Sequence, residues 1–301
     1  KSKKKRNNSR GLRSIRVMKK IAKNIQVITK NLLSRKARSF LTTLGIVIGV
    51  AGVIIIISLG AGAQSLVLGQ ITKLGSNIIG VLPGKTNETG PPAAVFGVQI
   101  QTLVNSDLVA IKTRVPHISA ATPVVSDNVT LVSGNLAVDT KFTAVDGDYP
   151  IVHNAPLENG VFFTEEEANA GANVIVLGYD VREQLFPNGG ELGSIVKIQS
   201  SASEYGSIPF RVIGVQKKLG TVTFQNQDDQ VFIPFKIGQR QILGINYIQF
   251  IRMQVDDPAN IEGAIEDVRR IIREEHNITN PANDDFEVRD LADAIKILTN
   301  I

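Results

Sequence analysis

Residues 40–63 read FLTTLGIVIGVAGVIIIISLGAGA, a run without a single charged side chain. At about 1.5 Å of rise per residue it makes roughly 36 Å of helix, enough to cross a hydrocarbon layer of about 30 Å with some tilt. In lipid a helix satisfies its own backbone groups, so the glycine, valine and isoleucine that weaken helices in water are tolerated there. A buried helix of a soluble core is the competing reading, and such helices rarely carry so long an uncharged run. The sequence predicts one membrane span over residues 38–63.

The flanks of this run differ in charge. Residues 1–38 hold 15 Lys and Arg and no acidic residue, and the first carboxylate is Glu88. The rest of the chain has 18 basic against 28 acidic side chains. Positive residues stay on the cytoplasmic side, so the N-terminus is expected inside and everything after Ala63 outside. A cleaved signal peptide also joins a basic head to an apolar run, and Ala61-Gly62-Ala63 looks like a cleavage site. Its apolar region spans only about 7–15 residues, and its basic head is far shorter.

Residues 1–10, KSKKKRNNSR, read as a solvated tail. Over 12–33, Ile15, Met18, Ile21, Ile25, Ile28 and Leu32 recur at helical spacing, while Lys19, Lys20, Lys23 and Lys30 fall largely on other faces. This predicts an amphipathic helix lying on an anionic membrane surface, with Lys19, Lys20, Lys23, Arg35, Lys36 and Arg38 as the residues that meet the headgroups. Packing on a cytosolic domain is the other use for such a face. Within the span, Gly45, Gly49 and Gly52 lie at i, i+4 and i+7 and form a smooth stripe suited to close helix packing.

After the span, residues 64–73 are expected to continue the helix as a stalk. Residues 77–82 (NIIGVL) read as a short apolar strand and 83–98 as a Gly/Pro-rich loop. A helix is expected up to Arg114, capped by Asn105 or Ser106 with Asp107 in its first turn. Residues 118–145 alternate like strands, with turns expected at Ser126-Asp127-Asn128 and Ser133-Gly134-Asn135. Thr164 with Glu165, Glu166 and Glu167 opens a helix, 173–177 is a buried strand, and 179–186 is a short helix. Strands follow near 194–199, 209–215, 230–234 and 247–255. Asp257-Pro258 starts a helix whose core face is Ile261, Ile265, Val268 and Ile272, and 285–288 is a last strand. The fold class is therefore α+β: one N-terminal transmembrane helix, then a mixed domain with mostly antiparallel pairing.

No stretch supplies an active site. The string Gly80-Val-Leu-Pro-Gly84-Lys85-Thr86 has three residues between its glycines where a phosphate-binding loop needs four. Pro91 and Pro92 follow where a helix N-terminus is required. Cysteine is absent, which excludes disulfides and thiolate chemistry. His117, His153 and His276 have no carboxylate or second His at ligand spacing, so no metal site is expected, and none has a visible partner for nucleophilic catalysis. The sequence pI of 9.3 derives from the basic head beside the span, which suits a membrane surface better than nucleic acid. No catalytic residue, cofactor or metal is expected. By these residues alone, a single-span sensor or adhesion protein with an outer ligand-binding domain fits as well.

The order of motifs narrows this. Residues 35–50, RKARSFLTTLGIVIGV, closely resemble the first span of MacB-type ABC transporter permeases of the MacB/FtsX-like family. Residues 74–77 (LGSN) with Pro83-Gly84, 121–126 (ATPVVS), 147–149 (GDY), 182–187 (REQLFP) and 211–215 (RVIGV) resemble further landmarks in the same order. The resemblance implies an extracytoplasmic core domain of two lobes over 64–290, the smaller β-rich lobe inserted in a βαβ-rich one. It implies a cytoplasmic tail and interfacial helix over 1–37, and a second stalk beginning at 291–301 toward further spans. It also implies a bacterial cytoplasmic-membrane homodimer, an ABC ATPase partner that hydrolyses the ATP, and a membrane-fusion adaptor. The function implied is transmission of ATP-driven motion to the outer domain for efflux of antibiotic, peptide or lipoprotein-type substrates. An FtsX-type regulator of division hydrolases and a lipoprotein-releasing permease are relatives with the same plan.

Overall fold

The computed structural model describes residues 36–74, 77–84, 100–200, 206–222 and 225–290. The expected basic tail, the interfacial helix over 12–33, most of the loop over 83–98 and the stalk from 291 lie outside these. The chain divides into two compact units, Lys1–Ser65 and Leu66–Ile301.

A single helix, α1 (Lys36–Leu74), contains the apolar run. Its window Phe40–Gly60 has a mean hydropathy of 2.7, and none of it is buried. Phe40, Ile46, Ile48, Ile54, Ile56 and Leu59 are all exposed, so the helix is apolar on every side and none of the described residues covers these side chains. A soluble core helix would be covered; this one is long and apolar enough to cross a membrane. Near its start the Thr42 hydroxyl donates to the Arg38 carbonyl at 3.0 Å, which satisfies the polar side chain locally.

After the end of α1, the second unit holds β1 (Ile78–Pro83), followed by α2 (Asn105–Arg114) and the 16-residue strand β2 (Ile118–Ser133). Much later come β11 (Phe250–Val255), α7 (Ile261–Glu275) and β12 (Phe286–Asp290). These strands lie in the order β12-β1-β11-β2 with every neighbour antiparallel. Two β-α-β units are thus interleaved, each with a strand of the other between its own two. Ile79, Val81, Ile251, Met253 and Val288 turn to one face, where Leu108, Ile111, Val268 and Ile272 of the helices close over them.

Between β2 and β11 the chain builds a second lobe. Its elements are β3 (Leu136–Val145), α3 (Tyr149–His153), β4 (Leu157–Gly160), α4 (Glu165–Ala170), β5 (Val174–Leu177), α5 (Tyr179–Leu185), β6 (Ile195–Gln199), β7 (Ser207–Gln216), the hairpin β8 (Thr221–Val222) and β9 (Gln225–Asn226), β10 (Gln230–Pro234) and α6 (Phe235–Ile237), which runs into a turn at Gly238–Ile242. Strands pair in the order β2-β3-β10-β5-β7-β4, and β6 pairs with both β7 and β2. β6 thereby closes β2, β3, β10, β5, β7 and itself into a small barrel. Closure removes exposed edges, and Leu131, Phe142, Ile175, Ile198, Phe210 and Val212 fill the interior. Among the described residues only β3 with β10 and β5 with β7 pair in parallel, so the expected α+β class with mostly antiparallel pairing holds. The two-lobed plan implied by the resemblance is also present.

Strand β2 joins the lobes. Up to Val124 it pairs with β11, and from Val125 onward with β3. The expected turn at Ser126-Asp127-Asn128 is a correction: these residues continue the strand. The Gln249 side chain, just before β11 begins, takes over there, its amide oxygen accepting from Ser126 N at 2.8 Å and its nitrogen donating to Ser126 O at 3.1 Å. Polar residues here mark the handover of a strand between partners. The cap of α2 is a second correction. Val104 is the capping residue, and the Asp107 carboxylate accepts from its N–H at 2.7 Å. The core face of α7 is rotated: Ala264, Val268, Ile271 and Ile272 are buried, while Ile261 and Ile265 are only partly covered. The capping box expected at Thr164 and Glu167 is present, with bonds of 3.2 and 3.0 Å.

Candidate functional site

The residues named from the sequence for helix packing, Gly45, Gly49 and Gly52, lie on α1. A Cβ built on any of them meets nothing within 4 Å. At 3.6 residues per turn they stay within about 60° of one another, so they form one open groove on the helix. Arg38 is exposed in the first turn of α1, and Lys36 begins it. Lys19, Lys20, Lys23 and Arg35 lie outside the described residues. The phosphate-loop-like string begins inside β1, with Gly80 paired opposite Arg252, so its first glycine is strand and not loop. Lys85 and Thr86 lie outside the described residues.

The lobes meet at a charged cluster that no sequence motif announced. Lys112, in the last turn of α2, belongs to the first lobe. Asp146 and Asp148 follow β3, and Glu165 opens α4, in the second. Lys112 Nζ lies 2.7 Å from Asp146 Oδ2, 2.8 Å from Asp148 Oδ2 and 3.7 Å from Glu165 Oε1. Asp146 is buried, and its carboxyl is pushed up to about 6 by burial, which outweighs the pull of Lys112. Burial works against the Lys112 charge as well, but Asp146 and Asp148 hold its ammonium above the ordinary lysine value. Around it, Gly147 N donates to Glu165 Oε2 at 3.0 Å and Asp148 N to Asp146 Oδ1 at 3.2 Å. Gly147 has no room for a side chain, since a Cβ there would lie 2.5 Å from the Glu165 nitrogen. The only advance signal was Gly147-Asp148-Tyr149 among the recognised landmarks. Glu165 had looked like nothing more than a helix start.

Two of the histidines pair with carboxylates. His117 Nδ1 lies 2.9 Å from Asp256 Oδ2. His276 sits between Asp285, 2.7 Å from Nδ1, and the buried Asp107, 3.2 Å from Nε2. The Asp107 contact spans 169 positions, so spacing along the chain had no means of revealing it. Burial disfavours the imidazolium, but hydrogen bonds to Asp285 and Asp107 outweigh this and hold the His276 pKa above 6.5. This arrangement ties α2, the end of α7 and the approach to β12 together. A raised histidine pKa adds stability that is complete below the unfolded value and is lost as pH rises through the folded one. Thermal unfolding is therefore expected at lower temperature at about pH 9 than at about pH 6. His276→Gln should flatten that part of the profile; an unchanged slope would show that another group titrates.

The family described as the MacB-like periplasmic core domain matches residues 39–271. The macrolide export ATP-binding/permease protein MacB of Azoarcus sp. (strain BH72) is 34% identical over 259 residues, covering 86% of this chain and 37% of that protein. Its counterpart in Wolinella succinogenes is 31% identical over 290 residues, covering 96% and 42%. The chain thus spans less than half the length of these relatives. Among solved structures, the periplasmic region of MacB from Actinobacillus actinomycetemcomitans superposes with a TM-score of 0.62 at 22% identity, covering 78% of this chain and 98% of that one. The extracellular domain of the noncanonic ABC-type transporter YknZ from Gram-positive bacteria gives 0.55 at 18% identity, covering 71% and 100%. These two likenesses concern the fold.

Proposed function

The chain belongs to the MacB-like periplasmic core domain family, and from that premise we propose that it is a membrane-spanning permease part of an ABC transporter. In this reading α1 crosses the cytoplasmic membrane with its basic N-terminal side inside, and the two-lobed domain stands outside. An ABC ATPase on the inner side supplies the motion. The helix carries it outward, and the outer domain acts on substrates of antibiotic, peptide or lipoprotein type; the names of the relatives support the first of these, as macrolide export. A second copy packs against the Gly45, Gly49 and Gly52 groove, Lys19, Lys20, Lys23, Arg35, Lys36 and Arg38 bind anionic headgroups, and an adaptor protein meets the outer domain.

The observation that carries this reading is α1 itself. The apolar window ends near Gly60, yet the helix runs on to Leu74, four residues before β1. An α-helix is a stiff element, so movement at one end is passed on to the other, where a flexible tether would lose it. The test is recovery of the gene product from membranes solubilised in mild detergent. A co-purifying ABC ATPase whose hydrolysis rate changes when the permease is removed supports the proposal. A chain that sits in the membrane with no associated ATPase overturns it. In the same preparation, the paired substitutions Gly45→Leu and Gly49→Leu should lower the yield of cross-linked dimer while insertion persists.

A further inference from the structure

On the first lobe, the sheet face turned away from α2 and α7 is not fully covered by the described residues. Helix α3 lies over part of it, at β2 and β11. Beyond, a cavity of about 230 Å³ remains, lined by Ile78, Gly80, Leu82, Phe250, Arg252 and Arg289, with Asp290 beside them. At about 30 Å³ of liquid volume per water, it has room for roughly eight waters. Gly80 adds no side chain, which leaves the floor open between Ile78 and Leu82. Arg289 is already held, its Nε 2.6 Å from Glu287 Oε1.

Arg252 is placed differently. Its guanidinium lies 5.3 Å from the centre of the Phe250 ring, and its Nη1 meets His153 Nε2 at 2.6 Å. His153 in turn stacks on Tyr149 with ring centres 4.3 Å apart. Among the described residues no carboxylate forms an ion pair with Arg252. His153 supplies no counter-charge: burial, and the nearby guanidinium after it, hold its pKa well below 6.5, so it stays neutral. Burial likewise lowers the Arg252 pKa. Lys141, the other cation near enough to be felt, is depressed by burial and by Arg252, and it adds positive potential. Arg252 is half-buried, and a cation partly withdrawn from water gains from an anionic partner. Among the described residues only Nη1 of this side chain meets an acceptor, so the other donors of a planar fork remain open to a ligand.

We infer that this cavity binds a small ligand with an anionic head, carboxylate or phosphate, seated on Arg252 and a short apolar body lying against Phe250, Leu82 and Ile78. The inference uses only the folded second unit and does not depend on the transport reading. A fork-shaped donor suits a planar carboxylate or a phosphate, and an aromatic face beside it shields the contact from water. The apolar floor adds affinity roughly in proportion to the surface it covers, and it rejects a fully hydrated ion.

The probes are octanoate, n-octyl phosphate and, as the opposite charge on the same tail, octylamine. They are titrated by calorimetry into the full chain held in nanodiscs, with empty nanodiscs as the reference. Saturable binding of octanoate or octyl phosphate is expected, with octylamine at the empty-disc level. Whichever anion binds more tightly tells a carboxylate source from a phosphate one. Arg252→Gln should weaken the bound anion at least tenfold, while unfolding at or above the wild-type temperature shows that the variant is folded. If that variant fails to fold, Leu82→Trp, which fills the floor and leaves Arg252 in place, must remove binding. Equal uptake of octylamine and octanoate, or anion binding unchanged in both variants, would overturn the inference.

Discussion

Lys112→Met should lower the unfolding free energy of the outer domain by about 3–5 kcal/mol at about pH 8, and by clearly less at about pH 5. The substitution keeps the length and apolar stem of the side chain and removes only the ammonium. Left behind are a buried carboxylate at Asp146, with Asp148 and Glu165 close by. With Lys112 present, burial already sets the Asp146 pKa at about 6. Without it, burial and the nearby Glu165 are opposed by the Thr122 hydrogen bond alone, and the value climbs further. The folded value then lies well above the unfolded one of about 3.9, so Asp146 contributes stability at low pH that is lost as pH rises through its folded pKa. The variant can escape its penalty by protonation in acid and cannot in mild base. Urea unfolding at the two pH values measures the difference. Adding Asp146→Asn should restore most of the loss at about pH 8, since the buried charge is gone. An equal loss at both pH values would mean that the penalty does not come from an ionised Asp146, and would overturn this account.

That cluster marks where sequence reading stops. The apolar run, the antiparallel α+β character and the Thr164–Glu167 capping box were legible because each depends on residues within a few positions of one another. The two-lobed plan was legible only through resemblance, because it is a property of order along the whole chain. The partners of Lys112, His276 and Arg252 lie 34, 169 and 99 positions away. Nothing local in the sequence distinguishes these side chains from solvated ones. Strand β2 was misread for a related reason. Ser126, Asp127 and Asn128 carry the composition of a turn, but tertiary pairing overrides local preference when a strand changes partners. The cap of α2 shows the same limit in small. Composition favoured Asn105 or Ser106 as the cap, whereas the fold uses the carboxylate at the third position of the helix.

A glycine whose reason is space alone yields the second large effect. Gly238 follows α6 with φ −58° and ψ −47°, a conformation any residue adopts. A Cβ there would lie 2.2 Å from the Ala144 Cβ, 3.2 Å from Phe142 Cε2 and 3.4 Å from Ile233 Cδ1. Ala144, Phe142 and Ile233 are fully buried in the barrel strands β3 and β10, where backbone pairing leaves little freedom to retreat. Gly238→Ala is therefore expected to cost about 1–3 kcal/mol or more, because overpacking a close-packed core forces backbone shifts. Its usual helix-favouring gain of up to about 1 kcal/mol over glycine is lost in that clash. Ala144→Gly alone should cost about 1 kcal/mol, from backbone entropy and a small void. The double variant moves the same methyl from the strand to the turn and removes the worst contact. It should be more stable than Gly238→Ala alone, with a coupling of about 1–3 kcal/mol between the sites. Thermal or urea unfolding of the four members of the cycle measures that coupling. Strict additivity would show that the turn after α6 does not press on β3 as closely as these distances require, and that the second lobe has slack where the fold shows none.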